Sequence, residues 1–424
     1  MRRPKAAPAA PVLKRSSVAG VVDKAVRDVR VMDAVTTLRQ PAIAALRRAG
    51  IDDLLNDTRL VAEAVRSLGM TYGKFWHLTA ERRSELLWRH LFVEQAPLST
   101  AARGVLASLR GLGLTPQRGD QAKVRRWFAE KRPDWLIDQV FEVAGVDSVV
   151  AVVDPFEEVE RKRWLRGFPL DERFRMSLRL DYLLFDWPSA VRRLVEWDYR
   201  VALDFGAETE DEVRRFLREW CERVEPVSLS ASLPPTFRFP HSGPAARLLE
   251  KAVLPECENV GRPFSAVVGE VQSVNPGLRH AGFVRRAVDL APIQSLLARF
   301  PDSRIVLTAV AAANDEEVTA QASVFPNLHP AGVGARADAP AATALLADRL
   351  AVLGPTFTPF VSRARVIDQL ISTWGAAREV VRSVLTDRYR GLADSGLGMT
   401  RLDVQRDARA LLGGAFSRFS GLGD

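Results

Sequence analysis

Short apolar or β-branched runs recur along the chain, separated by longer stretches of helical periodicity. The runs Val29–Val35, Ser148–Val153, Arg175–Leu180, Val227–Ser232, Phe264–Gly269, Ile305–Val310, Phe325–Gly334 and Thr356–Val361 read as eight strands. Runs such as Ser148-Val-Val-Ala-Val-Val153 and Ile305-Val-Leu-Thr-Ala-Val310 have little polar alternation. That pattern suits parallel strands covered on both faces rather than strands with one wet side. Helical segments lie between them: Leu248–Val253 leads into Phe264, and Pro292–Arg299 leads into Ile305. Strands alternating with helices imply βαβ units, and eight of them predict an α/β fold closed as a (β/α)₈ TIM barrel.

One interval breaks the rhythm. Roughly 39–146 contains no convincing strand, and Pro41–Ala49, Asp57–Leu68, Ala80–Phe92, Thr100–Leu112 and Gln121–Lys131 have helical periodicity. This predicts a helical insertion after the first strand, lying over the C-terminal mouth where barrel sites are built. A helical C-terminal tail follows Arg365, through Val366–Trp374, Arg378–Tyr389 and Arg401–Leu412. The glycines at Gly391–Gly398 and Gly413-Gly414 lack any phosphate-loop context and read as helix ends. Residues 1–17, rich in Pro, Ala, Lys and Arg, read as a disordered basic arm, leaving 18–424 as one barrel domain.

Composition narrows the function classes. A hydrophobic share of 47% fits a water-soluble chain with a large core, and no apolar run is long enough for a membrane span. The N-terminus has no apolar signal region, and Cys221 and Cys257 offer neither a disulfide framework nor ligand spacing. A reducing cytoplasm is the expected compartment. The net charge of +8 comes mostly from arginine, scattered among acids as in Glu160-Arg161-Lys162-Arg163. Without a basic stripe and interleaved aromatics, nucleic-acid binding is not expected, whereas an anionic small molecule suits the balance.

Several stretches resemble glucuronate (uronate) isomerases, and in particular a divergent branch of that family within the amidohydrolase superfamily. They are Gly50-Ile-Asp-Asp-Leu-Leu55 with Leu60-Val-Ala-Glu63, Ala101-Ala-Arg-Gly-Val-Leu106, Asp154-Pro-Phe-Glu-Glu158, Leu178-Arg-Leu-Asp181, Ser230-Ala-Ser-Leu-Pro-Pro-Thr-Phe237, Val274-Asn-Pro276 and Ala364-Arg-Val-Ile-Asp-Gln-Leu-Ile371. They occur in consistent order from about residue 20 onward. The resemblance implies a barrel of the metal-dependent hydrolase type. It also implies an aldose–ketose isomerisation of glucuronate or galacturonate, assisted by a divalent metal such as zinc.

The ligand positions that the resemblance implies are altered. The family's first strand ends in His-x-His, whose alternate side chains point the same way and share one metal. Here the matching positions are Val35 and Thr37. The family's last strand supplies an aspartate ligand followed two residues later by an arginine; here Arg363 stands for the aspartate and Arg365 is kept. A valine has no donor atom, and a guanidinium repels a cation. A His-Tyr pair of the family corresponds to Thr58 and Arg59, a tryptophan pair to the segment Gly332-Val-Gly-Ala335, and an expected arginine is missing near Ala312. Of the five histidines, His280 and His329 fall nearest the expected strand ends on the mouth side, where a two-histidine site is conceivable. No metal and no other cofactor is therefore expected.

The polar set expected at the mouth is Arg103, Asp154, Arg179, Ser232, Asn275, Asn314, Arg363 and Arg365. Arg103, Arg179, Asn314 and Arg365 are candidates for substrate binding, and Arg363, Arg365 and Asp154 for residual catalysis. Two arrangements are open. Arg363 and Arg365 could fork onto a ligand carboxylate, or Asp154 or Asp181 could neutralise one of the arginines internally and simply stabilise the barrel. The expected function is a degenerate, non-catalytic or sugar-acid-binding relative. The alternatives are an isomerase with a shifted or metal-free site, and a structural subunit assembling with itself or with an intact paralogue.

Overall fold

In a computed structural model, which describes residues 12–43, 48–281, 284–332 and 339–423, seven parallel strands form one sheet in chain order. They are β1 (Val31–Asp33), β2 (Val146–Val153), β3 (Phe174–Arg179), β4 (Ser228–Leu233), β5 (Phe264–Val268), β8 (Ile305–Ala309) and β9 (Leu328–Pro330). Between β5 and β8, the strands β6 (Glu270–Val271) and β7 (Val284–Arg285) make a separate antiparallel hairpin. The eighth barrel position is filled by an extended segment. Thr358 forms a parallel bridge with Ala331, donates its N–H to the Pro330 carbonyl at 3.0 Å and accepts from Gly332 at 2.7 Å. On the other side Arg363 donates its N–H to the Val35 carbonyl, and Thr37 to Ala364, both at 2.9 Å. Backbone hydrogen bonds thus close the ring on both flanks, and the fold is a (β/α)₈ barrel.

The buried runs β2 to β5 and β8 match the sequence expectation; the weakly paired strands are shorter than expected. Val29 caps the helix Val18–Asp28, donating to the Ala25 carbonyl at 3.2 Å, so β1 starts later. Phe325 likewise caps the helix Asp315–Val324, and Asn327 spends its amide on the carbonyls of Leu297, Phe300 and Ser303 before β9 begins. Gly334, the end of that expected strand, lies outside the described residues.

The insertion is helical. It contains Ile51–Leu55, Thr58–Ser67, Tyr72–Trp76, Ala80–Trp88 with a π-turn to Glu94, Thr100–Gly111, Gln121–Ala129 and Pro133–Ala144. Asp57, Thr71, Thr79 and Ser99 each accept an N–H from the first turn of the helix that follows, as capping predicts. A separate apolar cluster, including Leu55, Leu60, Phe75, Trp88 and Leu109, holds these helices together. The expected helix Pro41–Ala49 falls partly outside the described residues, and its described part is not helical.

The tail departs from expectation in two ways. Gln369–Asp394 is one helix of 26 residues rather than two, because Gly375 lies mid-helix facing open space and breaks nothing. Gly413 does not end a helix but kinks one, at φ +118°, and a Cβ there would lie 2.5 Å from the Met32 carbonyl. That close approach to β1 requires glycine and delivers the last helix, Ala415–Phe419, to the base of the barrel. Phe416 is fully buried there among Ala34, Val150, Val227, Val306 and Ala331. The end of the expected N-terminal arm also packs: Val12 bridges Thr400, and Leu13 is buried and donates to the Met399 carbonyl at 2.7 Å.

Candidate functional site

The C-terminal ends of the strands and the underside of the insertion enclose a cavity of about 2020 Å³. Its floor is polar. Ser177, Ser228, Ser230, Ser232 and Ser265 line it, and the Ser177 hydroxyl lies 2.9 Å from those of both Ser228 and Ser230. Strands facing only a packed core would carry branched apolar residues here; hydroxyls make sense beneath a hydroxylated ligand.

The walls are cationic. Among the described residues, Arg59, Arg66, Arg103, Arg110, Arg179, Arg285, Arg363 and Arg365 line the cavity against the carboxylates Asp57, Glu63, Asp181 and Glu270. Each element contributes for a local reason. Asp57 caps the helix Thr58–Ser67 and binds Arg59 Nε at 3.0 Å, while Gln369 Nε2 donates to its other oxygen at 3.0 Å. Asp181 opens a short helix after β3, pairs with Arg179 and accepts the Ser232 N–H at 2.6 Å. Glu270 begins the hairpin after β5 and pairs with Arg363.

Burial works against both the Arg59 and Arg179 cations, but Asp57 and Asp181 outweigh it and raise their pKa. Arg285 and Arg365 show the opposite balance. Burial lowers the pKa of Arg285, with Arg363 and Arg59 adding like charge. Burial also lowers that of Arg365, against Asp57 and Glu270 and with Arg363 and Arg48 beside it. Arginine does not deprotonate in such a setting, so these shifts express mainly the cost of burying two cations at the mouth.

Of the residues expected at the mouth, Arg103, Arg179, Ser232, Arg363 and Arg365 line the cavity, and three others do not. Asp154 sits behind the wall, accepting the Phe156 N–H at 2.9 Å, with its carboxyl raised by burial. Asn314 is buried and clamps Val288, donating to its carbonyl at 2.8 Å and accepting its N–H at 3.1 Å. Asn275 accepts the Gly277 N–H at 2.9 Å in the hairpin loop. The fork of Arg363 and Arg365 onto an outside carboxylate is corrected in one half: Arg363 already holds Glu270. Glu270, Arg285, Asp57 and Gln369 were missed. Gly269, read as the end of the strand, was the sequence signal for the first two: at φ +89° it turns β5 into the hairpin.

The first-strand and last-strand positions do not fit a divalent metal. Val35 offers no donor, the Thr37 hydroxyl donates to the Ala364 carbonyl at 3.0 Å, and Arg363 brings a cation. Among the described residues, no three His, Cys, Asp or Glu side chains converge as a metal site would need. His329 lies 4.9 Å from Phe419 ring to ring, faces the Thr358 hydroxyl at 2.9 Å, and is kept neutral by burial, its pKa near 3. It belongs to the base of the barrel, and the side chain of His280 lies outside the described residues. Thr58 and Arg59 line the cavity. Gly332 accepts from Arg349 Nη1 at 2.8 Å, while residues 333–335 lie outside the described residues. Ala312 sits in a single 3₁₀ turn.

Away from the cavity, Ser67, His90 and Glu94 form a hydrogen-bonded row, with Ser67 Oγ to His90 Nε2 at 2.7 Å and His90 Nδ1 to Glu94 Oε2 at 3.2 Å. It lacks an oxyanion hole: the N–H groups of Leu68, Gly69 and Met70 are all bonded to carbonyls of the helix end. The row joins two insertion helices.

Fold and cavity together define a (β/α)₈ barrel whose mouth brings arginines and serine hydroxyls together. A uronate isomerase from Bacillus halodurans C-125 superposes with a TM-score of 0.93 at 34% identity, over 97% of each chain. The chain belongs to the uronate isomerase family. A uronate isomerase from Thermotoga maritima has a TM-score of 0.73 at 12% identity, covering 96% of this chain and 98% of its own. A glucuronate isomerase from Caulobacter crescentus also reaches 0.73 at 13% identity, covering 100% and 97%; at such identities these two share the fold alone. No family model and no curated protein matches the chain. Among the described residues, no helix is long and apolar enough to cross a membrane.

Proposed function

We propose that this barrel binds a sugar acid of the uronate class without isomerising it. The observation that carries the reading is the cavity wall, in which eight arginines face four carboxylates above a floor of serine hydroxyls. Guanidinium groups take a carboxylate in bidentate geometry, and the hydroxyls suit a polyol. The isomerisation of the relatives is a proton transfer between neighbouring carbons, which needs a poised acid or base and a group that polarises the carbonyl. At the positions where the family resemblance implies metal ligands, Val35, Thr37 and Arg363 supply no such group. Asp181 and Glu270 are each already engaged in an ion pair, with Arg179 and Arg363.

The test combines three measurements on the full chain: melting temperature with glucuronate, galacturonate and a neutral sugar; ketose formation from either acid; and the metal content of the purified protein. The uronates are expected to raise the melting temperature through binding to the folded state, and the neutral sugar is not. No ketose and no stoichiometric metal are expected. Turnover of glucuronate would replace this reading with that of an active isomerase, and the absence of any uronate-induced shift would remove the binding site.

A further inference from the structure

Glu270 is the carboxylate around which the arginines of the mouth gather. It pairs with Arg363, stands opposite Arg285 in the hairpin register, and acts electrostatically on Arg179 and Arg365. Its place is fixed by the main chain. Gly269 turns at φ +89°, a Cβ there would lie 2.9 Å from the Arg286 carbonyl, and Arg286 donates its N–H to Gly269 at 2.9 Å. Arg363 is equally fixed, with φ +50° and its N–H bound to the Val35 carbonyl. The Glu270 side chain is only 8% exposed, and both its oxygens are engaged, one by Arg363 and the other by Gln272 Nε2 at 3.2 Å.

We infer that Glu270 is a tethered occupant of the anion site, which an incoming carboxylate must displace from Arg363. The identity of that carboxylate rests on the sugar-acid reading; the displacement does not. Exchange of one carboxylate for another makes little net gain at Arg363, and the apparent affinity falls by the fraction of time the site is blocked. A bare anion therefore gains little by entering. A ligand that also reaches the serine floor gains the difference, so Glu270 sets selectivity for hydroxylated acids over simple ones.

The experiment titrates the full chain and its Glu270→Gln variant with glucuronate and, separately, with inorganic phosphate. The isosteric amide leaves Arg363 without its internal anion. Both anions are expected to bind roughly tenfold tighter to the variant, with phosphate gaining at least as much as glucuronate. The unliganded variant is expected to melt lower than the parent. Equal or weaker binding of both anions by a folded variant would overturn the inference. Tighter phosphate binding without any glucuronate binding would uphold displacement and remove the sugar-acid reading. Glucuronate binding of equal strength in both proteins, with phosphate unchanged, would do the reverse. Arg363→Met supplies a second route: it is expected to weaken glucuronate binding and to cancel the gain from Glu270→Gln in the double variant, and an undiminished gain would count against the pair.

Discussion

The two ends of the barrel use arginine in opposite ways. At the base, Arg262 donates to the carbonyls of Ser420 and Gly421 at 2.9 and 2.8 Å, and Arg304 to that of Phe419 at 2.6 Å. These are the open carbonyls of a helix C-terminus, where a cation satisfies hydrogen bonds and the dipole together. At the mouth, arginines face carboxylates and a cavity. The net charge of the chain is the same fact for both ends and locates neither; the partner of each guanidinium does. Where the partner is main chain the residue fastens the fold, and where it is a carboxylate at the cavity, the residue stands where the proposed ligand would enter.

The largest effect separating the two ends is expected at the base. Phe416 is fully buried inside the barrel. Phe416→Ala removes a ring that little can collapse to fill, and is expected to cost about 3–5 kcal/mol in denaturant unfolding. If the base is purely structural, glucuronate affinity of the folded variant stays within about twofold, equivalent to a few tenths of a kcal/mol. A loss of stability below about 1 kcal/mol would show that Phe416 is not a plug.

A second, smaller effect lies between the ends. Asp368 accepts the Gly50 N–H at 2.8 Å, tying the insertion to the segment that leads into the long helix, and its other oxygen is buried without a partner. Burial pushes its carboxyl up from 3.8 to about 6. The folded protein thus holds a proton that the unfolded chain releases between about pH 4 and 6, so this residue makes stability fall as pH rises through that interval. Above it the cost of the buried charge is constant, on the order of 3 kcal/mol. Asp368→Asn keeps an acceptor for Gly50 and carries no charge. It is expected to flatten the fall in melting temperature over that interval and to be the more stable protein at neutral pH. A variant with an unchanged pH profile would remove the assignment.

The same contrast explains what could be read from sequence. Continuous apolar runs such as Ser148–Val153 report burial on both faces, a local property, and β2 appears where that run lies. Thr356–Val361, read as the eighth strand, does lie at the eighth barrel position, but its apolar run does not report how thinly it is paired, through the bonds of Thr358 to Pro330 and Gly332. The pair Arg179–Asp181 spans two residues, and Asp181 was legible as an internal partner. Glu270 and Arg363 lie 93 residues apart and meet only because the hairpin folds over the mouth. The kink at Gly413 escaped for the same reason: its need for glycine comes from Met32, at the other end of the chain.

The smallest predicted effect tests the rim of the mouth. Arg103 lies on the insertion helix Thr100–Gly111, lines the cavity and is exposed. An exposed cation acts on an anion through water, and its contribution is screened over about 8 Å at physiological salt. Arg103→Ala is expected to weaken glucuronate binding by about threefold in low salt, under 1 kcal/mol, and the deficit should fade as salt is raised. Arg363→Met should keep most of its larger deficit in the same titration, because its partner Glu270 is buried and far less screened. Equal salt sensitivity in the two variants would place both residues on the rim. A deficit in Arg103→Ala that persists at high salt would move Arg103 into direct contact with the ligand and make the insertion part of the binding site rather than its cover.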